Sequence, residues 1–182
     1  MKNIKPLLPF IIVLCIVEQF IKVMIYYICY DADVDIIGNL LRFRPIQNTN
    51  YSFGGNYIDV FSHLGVAVVI NILVILLLVS GYNFYISRKH TIGKGVRFII
   101  VFGLAGAVCS LIDKVIWGGS IDYIQLPGLF TFDLKDCYLT VAEVLFLIIA
   151  LKHSREISVG AYGRWCVDRI KQMLKRGGRK VS

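Results

Sequence analysis

Asp113 and Asp136 are the residues of this chain best placed to do chemistry. Asp113 ends the apolar run 98–112, and Asp136 opens the apolar run 137–151. Both fall near one face of a bilayer, on adjacent predicted spans. Carboxylates at membrane depth are costly and are kept for a task. Adjacent antiparallel helices bring such positions side by side at similar depth. Two close carboxylates in a low dielectric cannot both ionise cheaply, so they share one proton. The ionised member then takes a proton from water while the protonated member polarises a peptide carbonyl. That is the logic of aspartic peptide hydrolysis. The same spacing has a second reading, in which each aspartate caps a helix at the headgroup level or pairs with Lys114 or Lys135.

The elements that must position this pair are read from hydropathy. The chain has 182 residues, 57% of them apolar, and a mean hydropathy of +0.68. That excludes an ordinary soluble domain. Crossing the hydrocarbon takes about 20 mostly apolar residues. Four stretches qualify, at 6–28, 61–81, 98–117 and 134–151. The expected fold class is an all-α membrane protein of four transmembrane helices, with a small periplasmic β-rich platform after the first. The first span is too long for a signal peptide, lacks a small-residue cleavage pattern, and carries Glu18 and Lys22. It is expected to stay in the mature protein.

The net charge of +8 has a local origin. Lys2 and Lys5 precede span one, and Arg88, Lys89, Lys94 and Arg97 surround the loop between spans two and three. The tail after span four is strongly basic, and the opposite side holds Asp31, Asp33, Asp35, Asp59, Asp122 and Asp133. Basic loops stay in the cytoplasm, which puts both termini inside. The charge therefore reports topology and contact with anionic lipid. No basic patch with interleaved aromatics stands outside the tail, so nucleic acid is not expected as a partner.

The five cysteines show no metal spacing and no C-x-x-C pair. Cys15 and Cys109 read as packing residues. Cys29 and Cys137 both fall near the outer face, where an oxidising compartment would let them pair. His63, His90 and His153 are scattered and suit surface positions better than a metal site. No metal and no cofactor are expected.

The domain plan is 1–153 for the transmembrane unit, with its platform at about 31–60, and 154–182 for a basic cytoplasmic tail. Within the platform, residues 40–46 partly alternate apolar and polar, as a half-exposed strand does. Asn48-Thr49-Asn50 and Gly54-Gly55-Asn56 read as turns. The inner loop is expected at 82–96. The outer loop, 118–133, turns at least twice, at Gly118-Gly119 and Pro127-Gly128. The tail from 162 to 176 has helical amphipathic spacing with Trp165, Cys166, Arg169 or Ile170, Met173 and Leu174 on one side, as in a basic helix lying on the inner leaflet. Residues 177–180 are expected to be disordered.

Other residues have bland readings. Glu18 and Lys22 share a face of span one, which predicts a structural ion pair facing the bundle. Glu143 lies seven residues past Asp136, on the same face and about 10 Å deeper, where it is expected to pair with a buried polar group or tune the aspartates. Gly103 with Ala107, and Gly106 with Ser110, place small residues four apart and let span three approach a neighbour closely.

Several short motifs run in order along the chain: Glu18-Gln19-Phe20-Ile21-Lys22, then Gln47-Asn48-Thr49-Asn50-Tyr51-Ser52-Phe53. Gly106-Ala107-Val108-Cys109-Ser110-Leu111-Ile112-Asp113-Lys114 follows, with Gly118 and Asp122-Tyr123 beyond it, and Phe132-Asp133-Leu134-Lys135-Asp136 comes last. Up to about residue 153 the chain resembles the lipoprotein signal peptidases, or signal peptidase II, whose patterns are D-Q-x-x-K, N-x-G-A-A-F, G-A-x-G-N-x-x-D-R with a trailing G-x-V-x-D-F, and F-N-x-A-D. The resemblance implies an aspartic endopeptidase of the bacterial inner membrane. Such enzymes cut the signal peptide from prolipoproteins just before a diacylglyceryl-modified cysteine. It also implies Asp113 and Asp136 as the catalytic dyad. Asn48, Ser110, Lys114 and Asp133 fall at substrate-positioning places. The implied partners are a lipid-modified prolipoprotein and membrane lipid, with the protein a monomer.

The chain departs from those patterns at the site itself. Glu18 stands for the first aspartate, Asn50 for the glycine of N-x-G-A-A-F, and Cys109-Ser110 for Gly-Asn. Lys114 replaces the arginine, Asp133 the last asparagine and Lys135 the alanine beside Asp136. Ser110 shortens the reach of asparagine, and Lys114 loses bidentate geometry. Two other readings stay open: a relative that binds lipoprotein or lipid without cutting it, and a small proton-coupled carrier. The missing inverted repeat argues against the carrier.

Overall fold

In lipid every backbone polar group must be satisfied within its own segment, so the long apolar runs become helices. The computed structural model describes residues 4–49, 63–88, 93–152 and 159–178. Helix α1 is Leu8–Ile28, entered through a tight turn at Lys5–Leu7 that contains Pro6. Helix α2 is Leu64–Arg88, α3 is Lys94–Ile112 and α4 is Leu134–Lys152. Three helical stretches are long and apolar enough to cross a membrane: Lys5–Ile28, Leu64–Arg88 and Lys94–Trp117. The fourth expected span, α4, falls outside that group because Lys135, Asp136, Glu143 and Lys152 dilute it. It still exposes Val141, Val144, Phe146, Leu147 and Ile148.

Helix α3 is the hub and packs against α1, α2 and α4. Its small residues make this possible, as their spacing predicts. A Cβ on Gly106 would lie 2.7 Å from Leu139 Cγ and 3.2 Å from the Lys135 carbonyl oxygen, so α3 and α4 are in backbone-level contact there. Gly103 faces Leu78 of α2 and Ala142 of α4. Around this seam lies the apolar core of Ile4, Leu7, Ile11, Tyr82, Ile100, Leu104, Ala105 and Tyr138.

The platform differs from expectation in composition. It is a four-stranded antiparallel sheet in the order β1-β2-β3-β4, with β1 Val34–Ile37, β2 Leu41–Asn48, β3 Ser120–Leu126 and β4 Phe130–Phe132. Half of it therefore comes from the stretch read as an outer loop. Residues 120–126 hide Ile121, Asp122 and Tyr123 together, so they show no simple alternation to read as a strand. Pro45 sits in β2 where the register with β3 shifts, between Phe43 and Ile46, which is where a strand tolerates proline. Asn48 is the last residue of β2 and pairs with Ser120, so the turn expected at 48–50 does not start there, and residue 50 lies outside the described residues. The turn expected at 54–56 lies outside the described residues.

Helix α2 runs seven residues past its expected end at Gly81, because Tyr82 and Phe84 are buried rather than solvated. Phe84 meets Tyr162 and Trp165 of α5, Val159–Gly178, at ring-centroid distances of 5.4 and 5.7 Å. Ser80 Oγ and Tyr162 Oη are 2.5 Å apart. The tail is thus helical and docked through Tyr162 and Trp165. The helix includes Gly177 and Gly178, which were expected to be disordered. Cys29 and Cys137 are free thiols. His63 is exposed, and His90 and His153 lie outside the described residues.

Candidate active site

The last turn of α3 is wound wider than the rest. Asp113–Trp117 is π-helical and closes on Gly118, whose φ of +63° only glycine adopts freely. Such single wide turns are frequent at functional sites. This one delivers Asp113 to the interior, 1% exposed, and leads directly into β3. The neighbouring Gly119 has no room for a side chain, since a Cβ would lie 2.6 Å from the Asn48 carbonyl oxygen. The α3–β3 corner is thereby pinned to the end of β2.

Four donors converge on the Asp113 carboxylate. Gln19 Nε2 donates to Oδ1 at 3.0 Å, and Lys22 Nζ donates to Oδ2 at 2.5 Å. Ser120 Oγ lies 3.1 Å from Oδ2, and Lys135 Nζ is 3.3 Å from it. Gln19 is itself aimed by Trp117, whose Nε1 donates to Gln19 Oε1 at 3.1 Å.

Asp133 and Asp136 open α4 as a reciprocal cap. The Asp136 N–H donates to Asp133 Oδ1 and the Asp133 N–H donates to Asp136 Oδ2, each at 3.2 Å. Asp133 is fully buried, and its other oxygen meets Lys22 Nζ at 2.6 Å, Ser120 Oγ at 3.0 Å and Lys135 Nζ. Burial works against the Asp133 carboxylate, but the Lys135 and Lys22 ammoniums outweigh it and hold that carboxyl below its ordinary range. Asp136 is the accessible member, with a side chain 41% exposed and Oδ1 3.9 Å from Lys135 Nζ. Lys135, only 8% exposed, thus stands among Asp113, Asp133, Asp136 and Asp122, the last at 3.6 Å. Ser120 Oγ accepts from Lys135 Nζ at 2.7 Å.

The remaining candidates sit around this cluster. Asn48 Nδ2 donates to Asp122 Oδ2 at 2.8 Å, which ties β2 to β3 above the aspartates. Ser110 and Lys114 face one another, with Lys114 Nζ donating to Ser110 Oγ at 2.7 Å. Tyr123 Oη accepts from the Leu134 N–H at 3.2 Å and braces the start of α4, while burial pushes its phenol upward. Glu18 and Lys22 form the expected pair at 3.2 Å, both wholly buried. Glu143 is exposed, so it does not take up the buried, tuning position expected for it. It follows the outward-turned face that also exposes Asp136.

Sequence reasoning missed Lys22, Ser120, Asp122 and Lys135 as members of the site. Lys22 was read only as the partner of Glu18, and Lys135 as added charge or as a helix-end partner of an aspartate, not as the shared neighbour of four carboxylates. Asp122 could have been found, because it falls on the aspartate of the trailing G-x-V-x-D-F pattern. Ser120 falls on the valine of that pattern and gave no signal.

Asp122, Asp133 and Asp136 have carboxylate oxygens within 4.8 Å of one another, a separation that suits a cation. The Lys135 ammonium already lies among them, so the chain supplies its own positive charge there.

Comparison with known proteins agrees with this architecture. The lipoprotein signal peptidase of Cupriavidus pinatubonensis is 25% identical over 169 residues, covering 85% of this chain and 88% of its own. That of Thermodesulfovibrio yellowstonii is 29% identical over 150 residues, covering 78% and 92%. A bacterial membrane enzyme solved by the in meso method superposes with a TM-score of 0.69 at 20% identity, covering 86% of this chain and 93% of that one; it shares the fold. The family model described as signal peptidase (SPase) II matches residues 10–152, a stretch that includes every charged residue of the cluster and ends before α5. The chain belongs to the signal peptidase II family of membrane proteases.

Proposed function

We propose that this protein is an intramembrane aspartic endopeptidase that removes signal peptides from diacylglyceryl-modified prolipoproteins. It acts as a monomer in a bacterial inner membrane, with four spans and both termini in the cytoplasm. Asp113 and Asp136 form the pair. Asp136, the accessible one, takes a proton from the attacking water. The proton held by the pair passes to the scissile carbonyl and then to the leaving amine. Asn48 acts through Asp122 and Asp133 through the α4 cap, while Ser110 and Lys114 border the approach to Asp113. The substrate's acyl chains lie along the exposed apolar helix faces.

The observation that carries this reading is that two aspartates from different helices meet about one ammonium, one buried in donors and the other open to a substrate. The family match supports the substrate class. The test is cleavage of a diacylglyceryl-modified prolipoprotein by the purified protein in detergent. Asp136→Asn and Asp113→Asn should each lower kcat by about 10²–10⁴, the span typical of acid–base groups. Cleavage that persists in either variant rejects the mechanism. Binding without cleavage, insensitive to Asp136→Asn, would mark a lipoprotein-binding relative.

A further inference from the structure

We infer that α5 is a lipid-binding helix: it lies in the headgroup layer beside the Arg88 end of α2 and takes anionic phospholipid as its partner. The contact does not depend on the aspartate chemistry. It requires only that α2 crosses the bilayer.

The depth of α5 is set by α2. By helix rise, Ser80 and Phe84 lie about 24 and 30 Å along α2 from Leu64. The hydrocarbon is about 30 Å thick, so this stretch of α2 reaches its far edge. There α5 joins it: Tyr162 Oη lies 2.5 Å from Ser80 Oγ, and the Tyr162 and Trp165 rings meet Phe84. Exposed cations lie over the joint, with the Arg88 guanidinium 5.5 Å from the Phe84 ring centroid and that of Arg169 5.3 Å from the Trp165 centroid. A helix fixed at that level lies at the membrane surface. The surface is the one opposite the aspartates, since α3 starts at Lys94 and carries Asp113 at its other end, about 28 Å away by helix rise.

Docking divides the side expected to be one apolar face. Tyr162 and Trp165 turn to α2. At 3.6 residues per turn, the side away from them carries, in order round the helix, Ile170, Val167, Lys171 and Arg164. All four are exposed, Ile170 at 59% and Val167 at 49%. An apolar edge beside a basic edge is the pattern of a helix seated between acyl chains and headgroups. A nucleic acid would match the cations but leave the apolar edge in water. The one acid in the α5 sequence is Asp168, and the sequence past Gln172 adds Lys175, Arg176, Arg179 and Lys180 without an acid. That excess of positive charge selects anionic over zwitterionic lipid. The family model ends at residue 152, so this surface is an addition to the shared peptidase unit.

The test is amide hydrogen exchange, read by mass spectrometry on the full chain in nanodiscs. One set of discs is phosphatidylcholine alone; the other is phosphatidylcholine with phosphatidylglycerol. Each cation near an anionic leaflet favours contact by about fivefold, so the amides of residues 163–172 should exchange at least several-fold more slowly in the anionic discs. High salt should remove the difference. Arg164→Gln/Lys171→Gln should exchange in anionic discs about as fast as wild type does in zwitterionic ones. Val167→Ser/Ile170→Ser should exchange faster than wild type in both. These four positions are exposed, so the fold should be unaffected, and the amides of α3 check it by exchanging alike in every variant. Equal exchange of wild-type α5 in the two lipids overturns the inference and leaves the peptidase reading intact. Slowing on addition of RNA to zwitterionic discs, with no response to phosphatidylglycerol, also overturns it and marks a nucleic-acid partner.

Discussion

Replacing Lys22 by methionine should be among the most damaging single changes outside the aspartate pair. Its ammonium is wholly buried and lies 3.2 Å from Glu18, 2.5 Å from Asp113 and 2.6 Å from Asp133. At an effective dielectric of about 20, one unit pair at 2.5 Å attracts by roughly 7 kcal/mol gross, which desolvation and repulsion from Lys135 largely offset. Methionine matches the stem but leaves Asp113 and Asp133 with less counter-charge. Removing one partner of a buried pair costs about 3–5 kcal/mol, or roughly 10²–10³-fold or more in the folding equilibrium. Glu18→Gln is the matched control. Glu18 meets the same ammonium, yet neither of its oxygens accepts a hydrogen bond among the described residues. Lys22 keeps Asp113 and Asp133 without it, so this change should cost less than about 1 kcal/mol. The assay is reversible unfolding in mixed micelles titrated with SDS. Equal losses in the two variants, or a Lys22→Met protein as stable as wild type, would refute the network as drawn.

Gly106→Ala places a methyl 2.7 Å from Leu139 Cγ and 3.2 Å from the Lys135 carbonyl, so it should cost about 1–3 kcal/mol and depress cleavage by displacing α4. Gly81→Ala, with nothing within 4 Å, should be neutral or gain up to about 1 kcal/mol in the same titration. Because the Asp133 carboxyl is held below its ordinary range, its contribution to stability is fully present above the unfolded value of about 3.9 and is lost as the pH falls through the lower folded value. The stability of wild type should show that acid limb, and Asp133→Asn should flatten it; an unchanged limb would count against the pairing. Trp165→Ala removes the ring that meets Phe84, so trypsin should cut α5 several-fold faster while cleavage of prolipoprotein continues, since the family match ends at residue 152.

Hydropathy and spacing made much of the frame legible. Apolar runs foretold α1, α2 and α3, because a span's length is a local property set by bilayer thickness. The Glu18–Lys22 pair and the small-residue face of α3 were readable for the same reason, being set by helix period alone. Motif order pointed to the family, although the substitutions at Lys135, Asp133 and Ser110 blurred each motif taken singly.

Tertiary structure alone decided how the charges are shared. Lys22 on α1 is 91 residues from Asp113, and no local rule tells a helix-paired lysine that it will also serve two distant aspartates. Nor could periodicity show that residues 120–132 would complete the sheet begun at 34–48, because strand pairing is a contact across sequence. Glu143 shares a helix face with Asp136 yet lies exposed, since a helix's period fixes which residues align but only its neighbours fix which side is covered. Sequence therefore determined the spans and the residues available for chemistry. Packing determined which of those residues are buried, which is open, and which ammonium stands between them.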